Sequence, residues 1–307
     1  MGESMLIGVD FGGTKIEAIA LSPAGETLAR KRVPTPRDDY RGCIAAVAGL
    51  VADLEAATGV RGSVGIGIPG AISADSGLVK NANSTWIIGR PLAPDLEAAL
   101  GRPVRLENDA NCLAVSEATD GAGAGAHVVW AVILGTGVGS GIAIAGRALS
   151  GRNRIAGEWG HNPLPWPQAD ELPGPPCYCG DNGCIETFLS GPGFAADYRR
   201  RTGASARAEE IMAAVRAGDP GARDTFERYL DRLGRGIAHV VNILDPDAVV
   251  LGGGMSDIDE LYPALPERVA AHVFSDSFTT TILKNRHGAS SGVRGAAWLW
   301  KDPASAC

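Results

Sequence analysis

Apolar and polar positions come in short bursts over the first third of the chain. "MLIGVD" (5–10), "KIEAIAL" (15–21) and "TLARKRV" (27–33) have the length and content of strands and are separated by glycine-bearing turns. Tyr40, Ile44, Val47, Val51 and Leu54 then recur at three- and four-residue spacing. That predicts a helix over 38–58, with Gly59 where a C-terminal cap belongs. "SVGIGI" (63–68) predicts a buried strand, "LVKNANSTW" (78–86) a short strand entering a polar loop, and "PVRLEND" (103–109) a strand ending on acids, with a helix over 110–118. "HVVWAVIL" (127–134) and "SGIAIAG" (140–146) are strands around a second glycine turn. Helices are predicted over 187–200, 207–217 and 219–244, the last with Phe226, Leu230, Leu233, Ile237, Val241 and Leu244 on one face. "AVVLGGG" (248–254) reads as a buried strand and 291–300 as a closing helix.

One stretch echoes another. "IGVDFGGTKIEAIA" (7–20) and "AVILGTGVGSGIAIA" (131–145) both read strand, glycine-rich turn, strand. Self-similarity at that separation points to duplicated halves and not to a short-period repeat. The expected domains are 1–119 together with about 290–307, and 120–289, linked by the glycine-rich "DGAGAGA" (120–126).

Composition narrows the class. The chain has 307 residues, enough for two domains, with 45% hydrophobic and 21% charged residues, as in a soluble globular protein. Net charge is −7 and no basic run exceeds "RKR" (30–32) or "RRR" (199–201), which argues against a nucleic-acid surface. No apolar run approaches the roughly 20 residues of a membrane span, and the N-terminus has no long apolar core, so a cytoplasmic setting away from membranes is expected. In a reducing compartment the three cysteines of "CYCGDNGC" (177–184) read as metal ligands or a redox group in preference to a disulfide. Cys43 and Cys112 read as small apolar fillers, and Cys307 as part of a loose tail.

The glycine turns carry the chemistry. Glycine at a hairpin tip lets backbone N–H groups approach an anion. "DFGGTK" assembles Asp10, Gly12, Gly13, Thr14 and Lys15: a carboxylate for a metal, amides and a hydroxyl for phosphate, and a cation. "GTGVGSG" (135–141) offers Gly135, Thr136, Gly137 and Gly139 in the same manner. Either alone would pass for a plain turn; two in matched positions point to phosphate. Neither is a P-loop, because no G-x-x-x-x-G-K-[ST] occurs and a strand follows each. The G-x-G-x-x-G in "GIGIPG" (65–70) has no evident helix after it, so a dinucleotide fold is rejected. "ENDAN" sets Asp109 at a strand–helix junction, where it is either a general base or a helix cap.

"DFGGTK", "GIPG", "ENDAN", "GTGVGSG", "GEWGH" and "CYCGDNGCIE", in that order, make the chain resemble the ROK family of sugar kinases over nearly its whole length. "PTPRDDYR", "VKNANSTW" and "SSGVRGAAWLW" look most like its bacterial manno(fructo)kinases. The resemblance implies an α/β, actin-like ATPase (ribonuclease H-like) fold, with two duplicated α/β domains around a cleft, and transfer of the γ-phosphoryl of ATP to a hexose. It implies that the two glycine turns hold the triphosphate with Mg²⁺, and that Gly252, Gly253 and Gly254 lie near the adenosine. It implies Asp109 as general base, with Gly70, Asn83, Asn108, Glu158, His161 and Glu186 binding the sugar. His161 would join Cys177, Cys179 and Cys184 in a structural zinc site. The expected reaction is D-fructose to fructose 6-phosphate, with mannose also accepted and a homodimer as the assembly. A glucokinase or N-acetylhexosamine kinase is the alternative within the family. A sugar-responsive repressor is the distant one, disfavoured because the first strand begins by about residue 5. "NPLPWPQADELPGPP" (162–176) is longer and richer in proline than expected of the family's glucokinases, and leaves open a lid or a subunit contact.

Overall fold

A computed structural model describes residues 5–301; Cys307 lies outside the described residues. The chain opens with β1 (Leu6–Phe11), β2 (Lys15–Leu21), β3 (Thr27–Pro34), α1 (Tyr40–Thr58), β4 (Ser63–Ile68), β5 (Ala71–Ile72) and β6 (Val79–Lys80). It continues through α2 (Leu92–Leu100), β7 (Val104–Asn108), α3 (Asp109–Thr119), β8 (Val128–Leu134), β9 (Val138–Ile144) and β10 (Arg147–Ala148). Then come α4 (Ile185–Leu189), α5 (Gly191–Thr202), α6 (Ala208–Ala217), α7 (Pro220–Leu244), β11 (Ala248–Gly252), α8 (Leu261–Ala270), β12 (Thr281–Lys284) and α9 (Ser291–Trp298). Two five-stranded sheets result, ordered β3-β2-β1-β4-β7 and β10-β9-β8-β11-β12. In each, the last three strands named run parallel, so the echo in the sequence is an echo in topology.

The first compact unit takes the described residues up to His127, Gly141–Ala156, and those from Arg286 onward. Successive side chains of a strand point to opposite faces. Ile7, Val9, Ile16 and Ala18 meet Val47, Leu50, Val51 and Leu54 of α1, while Leu6, Ile19 and Leu21 meet Val115, Val293, Ala297 and Trp298. With both faces covered, these strands read as nearly unbroken apolar runs. Asp39 starts α1 by accepting the Gly42 N–H at 2.9 Å, and Gly59 ends it at φ 69°. Cys43 and Cys112 are fully buried.

The second unit comprises Val128–Ser140 and Gly157–Asn285. In α7 the predicted stripe is buried from Phe226 to Val241, and Leu244 at its end is half-buried. Asp219 caps this helix through the Ala222 N–H at 2.7 Å, with Pro220 in its first turn. No helix among the described residues is long and apolar enough to cross a membrane.

Three expectations change. The helix predicted over 187–200 is two, because Ser190 caps a new start at the Gly193 N–H (3.0 Å) and Pro192 follows. Within 78–86 the short strand is β6 and a loop follows it, as the sequence indicates. Nothing was predicted for α2, α8 and β12: Pro94 and Pro266 disguise the helices, and β12 is a four-residue strand with exposed ends. Residues 141–156, expected in the second domain, cluster with the first unit. There Gly141 brings its backbone against Ala110 so closely that a Cβ would stand 2.2 Å from the Ala110 carbonyl oxygen.

Candidate active site

In the first unit the parallel strands β1, β4 and β7 end at the same sheet edge, where ligands of open α/β sheets bind. Asp10 leaves β1 there, followed by Gly12, Gly13, Thr14 and Lys15 in the hairpin to β2. Loss of hydration, then the nearby Asp109 and Glu17 carboxylates, push Asp10 up from 3.8 to about 6, against the pull of Lys15. Lys15 in turn faces the buried Glu17 at 3.5 Å.

Gly70 follows β4 with φ 86°, and a Cβ on it would stand 2.4 Å from the Lys80 carbonyl oxygen, so only glycine fits. Its carbonyl accepts from Asn108 Nδ2 at 3.0 Å. Asn108, the N-cap of α3, accepts the Ala110 N–H at 2.9 Å, and Asp109, the exposed first residue of α3, accepts the same N–H at 2.8 Å. A carboxylate in a first helical turn is favoured by the helix dipole. Asn83 is exposed beside the buried Ser84.

Sequence reasoning assigned nothing to Glu107. Its Oε1 accepts from the Asn108 N–H (2.9 Å) and Asn111 Nδ2 (3.0 Å), and its Oε2 from Ser150. It thereby braces the residues around Asp109, and its place in "ENDAN" was the available signal.

In the second unit Gly135, Thr136 and Gly137 form the turn between β8 and β9, closed by the Gly135 N–H on the Gly137 carbonyl at 2.9 Å. Gly139 lies in β9, and Gly252 ends the buried β11. Gly253 has φ 82°, and a Cβ there would meet the Leu134 carbonyl oxygen at 2.4 Å. Gly135, Thr136 and Gly254 line a cavity of about 630 Å³ with an apolar side of Ala195, Met212, Met255 and Ile258. Arg207 and Arg216 also line it, and the turn motifs could not announce them because they come from a separate helix and its cap. The break between α4 and α5 serves this place, since the Gly191 N–H donates to the Gly135 carbonyl at 2.8 Å.

"GEWGH" runs beside the cysteine segment. The Glu186 N–H donates to the Gly160 carbonyl and the Ile185 N–H to the Asn162 carbonyl, both at 2.9 Å. Buried Trp159 meets Trp130 edge to face at 4.9 Å, which holds the segment down and leaves Glu158 exposed. Glu186 accepts the Val138 N–H at 2.8 Å, tying the cysteine segment to the second glycine turn. The proline-rich 162–176 is fastened to α7. Arg235 donates to the Pro165 and Trp166 carbonyls and to both Glu171 oxygens, each at 2.9 Å, and Arg232 joins Glu171 (2.7 Å) to Asp197 (2.6 Å).

One ligand atom from each of His161, Cys177, Cys179 and Cys184 lies within 4.8 Å of all the others. Cys179 and Cys184 sulfurs are 3.6 Å apart, and Cys177 Sγ is 3.5 Å from His161 Nδ1. A disulfide needs about 2.05 Å, whereas a tetrahedral zinc with Zn–S near 2.3 Å sets its ligands about 3.8 Å apart. The donor set therefore fits zinc. The Asp181 N–H holds the Cys179 thiol below its usual value, while burial pushes Cys184 up, so that a bound cation would favour the thiolate most at Cys184. His161 Nε2, implied to reach sugar, lies 2.9 Å from the Tyr178 hydroxyl.

The ROK family model matches residues 6–303. The chain belongs to the ROK family. Its fold is the actin-like ATPase fold of that family's sugar kinases. The N-acetyl-D-glucosamine kinase of Vibrio cholerae is 44% identical, covering 96% of this chain and 99% of its own. The ROK hexokinase of Thermus thermophilus superposes with a TM-score of 0.85 at 33% identity, covering 96% of this chain and 97% of that one. A ROK glucokinase from Streptomyces griseus, in complex with glucose and AMPPNP, superposes at 0.75 with 30% identity, covering 96% and 98%. The protein is thus an ATP-dependent sugar kinase of the ROK family. The narrower likeness to manno(fructo)kinases is not what these relatives carry; the curated kinase among them is named for N-acetyl-D-glucosamine.

Proposed function

We propose that this chain transfers the γ-phosphoryl of ATP to the 6-hydroxyl of an N-acetylhexosamine, N-acetyl-D-glucosamine before other sugars. The observation that carries this is near-full-length similarity to N-acetyl-D-glucosamine kinases. Phosphoryl transfer asks a protein mainly to position groups and neutralise charge. Asp109, exposed at the start of α3, takes the proton of the acceptor hydroxyl. Asn108 and Gly70 hold the strand ends that place it. Asp10 would hold Mg²⁺, which neutralises phosphate charge when bound; the mutual repulsion of Asp10 and Asp109 fits a cation there. Gly12, Gly13, Thr14 and Lys15, and separately Gly135, Thr136 and Gly137, offer donors to phosphates. The 630 Å³ cavity takes the adenosine against its apolar side. Glu158, His161 and Glu186 orient the sugar, on a segment that zinc would pin through His161 and the three cysteines.

The test is ADP release with N-acetyl-D-glucosamine, N-acetyl-D-mannosamine, glucose, mannose and fructose as acceptors. The highest kcat/KM is expected for N-acetyl-D-glucosamine. A preference for fructose or mannose would overturn the assignment.

A further inference from the structure

Tyr178 occupies the ring nitrogen of His161 that faces away from the sulfurs. Its hydroxyl lies 2.9 Å from Nε2, and the two rings meet edge to face with centroids 5.0 Å apart. Nδ1 stands 3.5 Å from Cys177 Sγ, so a metal taken by Nδ1 leaves the proton on Nε2, which donates it to the tyrosine oxygen. The side chain is 79% exposed, so it can swing aside without opening a cavity.

We propose that Tyr178 is a latch on His161, satisfying Nε2 while no sugar is bound and yielding it to a sugar hydroxyl. The proposal rests on the reading of His161 as a sugar contact. The sugar then exchanges one hydroxyl for another at the same donor, and its apparent affinity is lower by the net worth of one exposed hydrogen bond, about two- to tenfold. Tyr178 thereby sets how much sugar is needed to fill the site, without touching the reacting atoms.

Tyr178→Phe keeps the ring and its edge contact and removes only the hydroxyl. Sugar binding is measured by calorimetry with N-acetyl-D-glucosamine, alongside kcat, KM and bound zinc. The expected result is about two- to tenfold tighter binding and lower KM, with kcat and zinc content unchanged. Unchanged or weaker sugar binding with zinc retained overturns the latch. Loss of zinc also overturns it, because the hydroxyl is then a support of the metal site. The parent's own sugar preference reports separately on the acceptor. If another hexose is the better substrate, that reading falls and the same comparison is made with that hexose.

Discussion

Replacing Asp10 by asparagine separates what the site costs the fold from what it does. The folded chain holds the Asp10 proton up to about pH 6, against an ordinary 3.8, through loss of hydration and the Asp109 and Glu17 charges. A group whose folded value is raised stabilises the fold below its ordinary value and loses that contribution as pH rises through the folded one. At about 1.36 kcal/mol per pH unit, the rise from 3.8 to about 6 makes about 3 kcal/mol, lost between roughly pH 4 and 7. Asparagine has nearly the same shape and no such dependence. Asp10→Asn should match the parent near pH 4 and exceed it by up to about 3 kcal/mol at pH 8. Urea unfolding at a series of pH values, without Mg²⁺, reads this difference directly. Mg²⁺ with a non-hydrolysable ATP analogue should narrow the gap by stabilising the parent, and the variant should be nearly inactive. A difference between variant and parent that does not change with pH would refute the reasoning, as would full turnover in the variant.

Asp109→Asn should lower kcat by about 10²- to 10⁴-fold while sugar binding, followed by calorimetry, stays within a few-fold; near-normal turnover would remove it as the base. Cys179→Ser should weaken zinc by more than the roughly 100-fold cost of losing an outer partner and should raise the sugar KM. Metal analysis beside sugar titration checks this, and a zinc-free variant with unchanged kinetics would end the supporting role. Gly253→Ala forces a Cβ to 2.4 Å from the Leu134 oxygen at φ 82°, so a loss of about 1–3 kcal/mol in thermal unfolding and a raised ATP KM are expected.

Local pattern carried much of this protein. The period of α1, the stripe of α7 and the unbroken apolar runs of β1, β4 and β11 could be read directly, because burial on a helix or strand imposes its own period on the residues. The two glycine turns, and the cysteines of "CYCGDNGC" that the fold gathers with His161, stood out too, because each is a local pattern of residue types at short spacing. What needed the fold were partnerships between residues far apart in the chain. Nothing in "ENDAN" says that Asn108 and Asp109 both accept the Ala110 N–H, or that Glu107 takes the Asn108 N–H on one oxygen and the distant Ser150 hydroxyl on the other. The proline-rich 162–176 became intelligible only when Arg232 and Arg235 of α7 were seen on Glu171. The cavity lined by Gly135, Arg216 and Met255, and the tyrosine on His161 Nε2, are likewise products of packing. A sequence states the chemistry each residue can offer; tertiary structure decides which partner it meets, because that depends on loop paths and side-chain rotamers that no local period encodes.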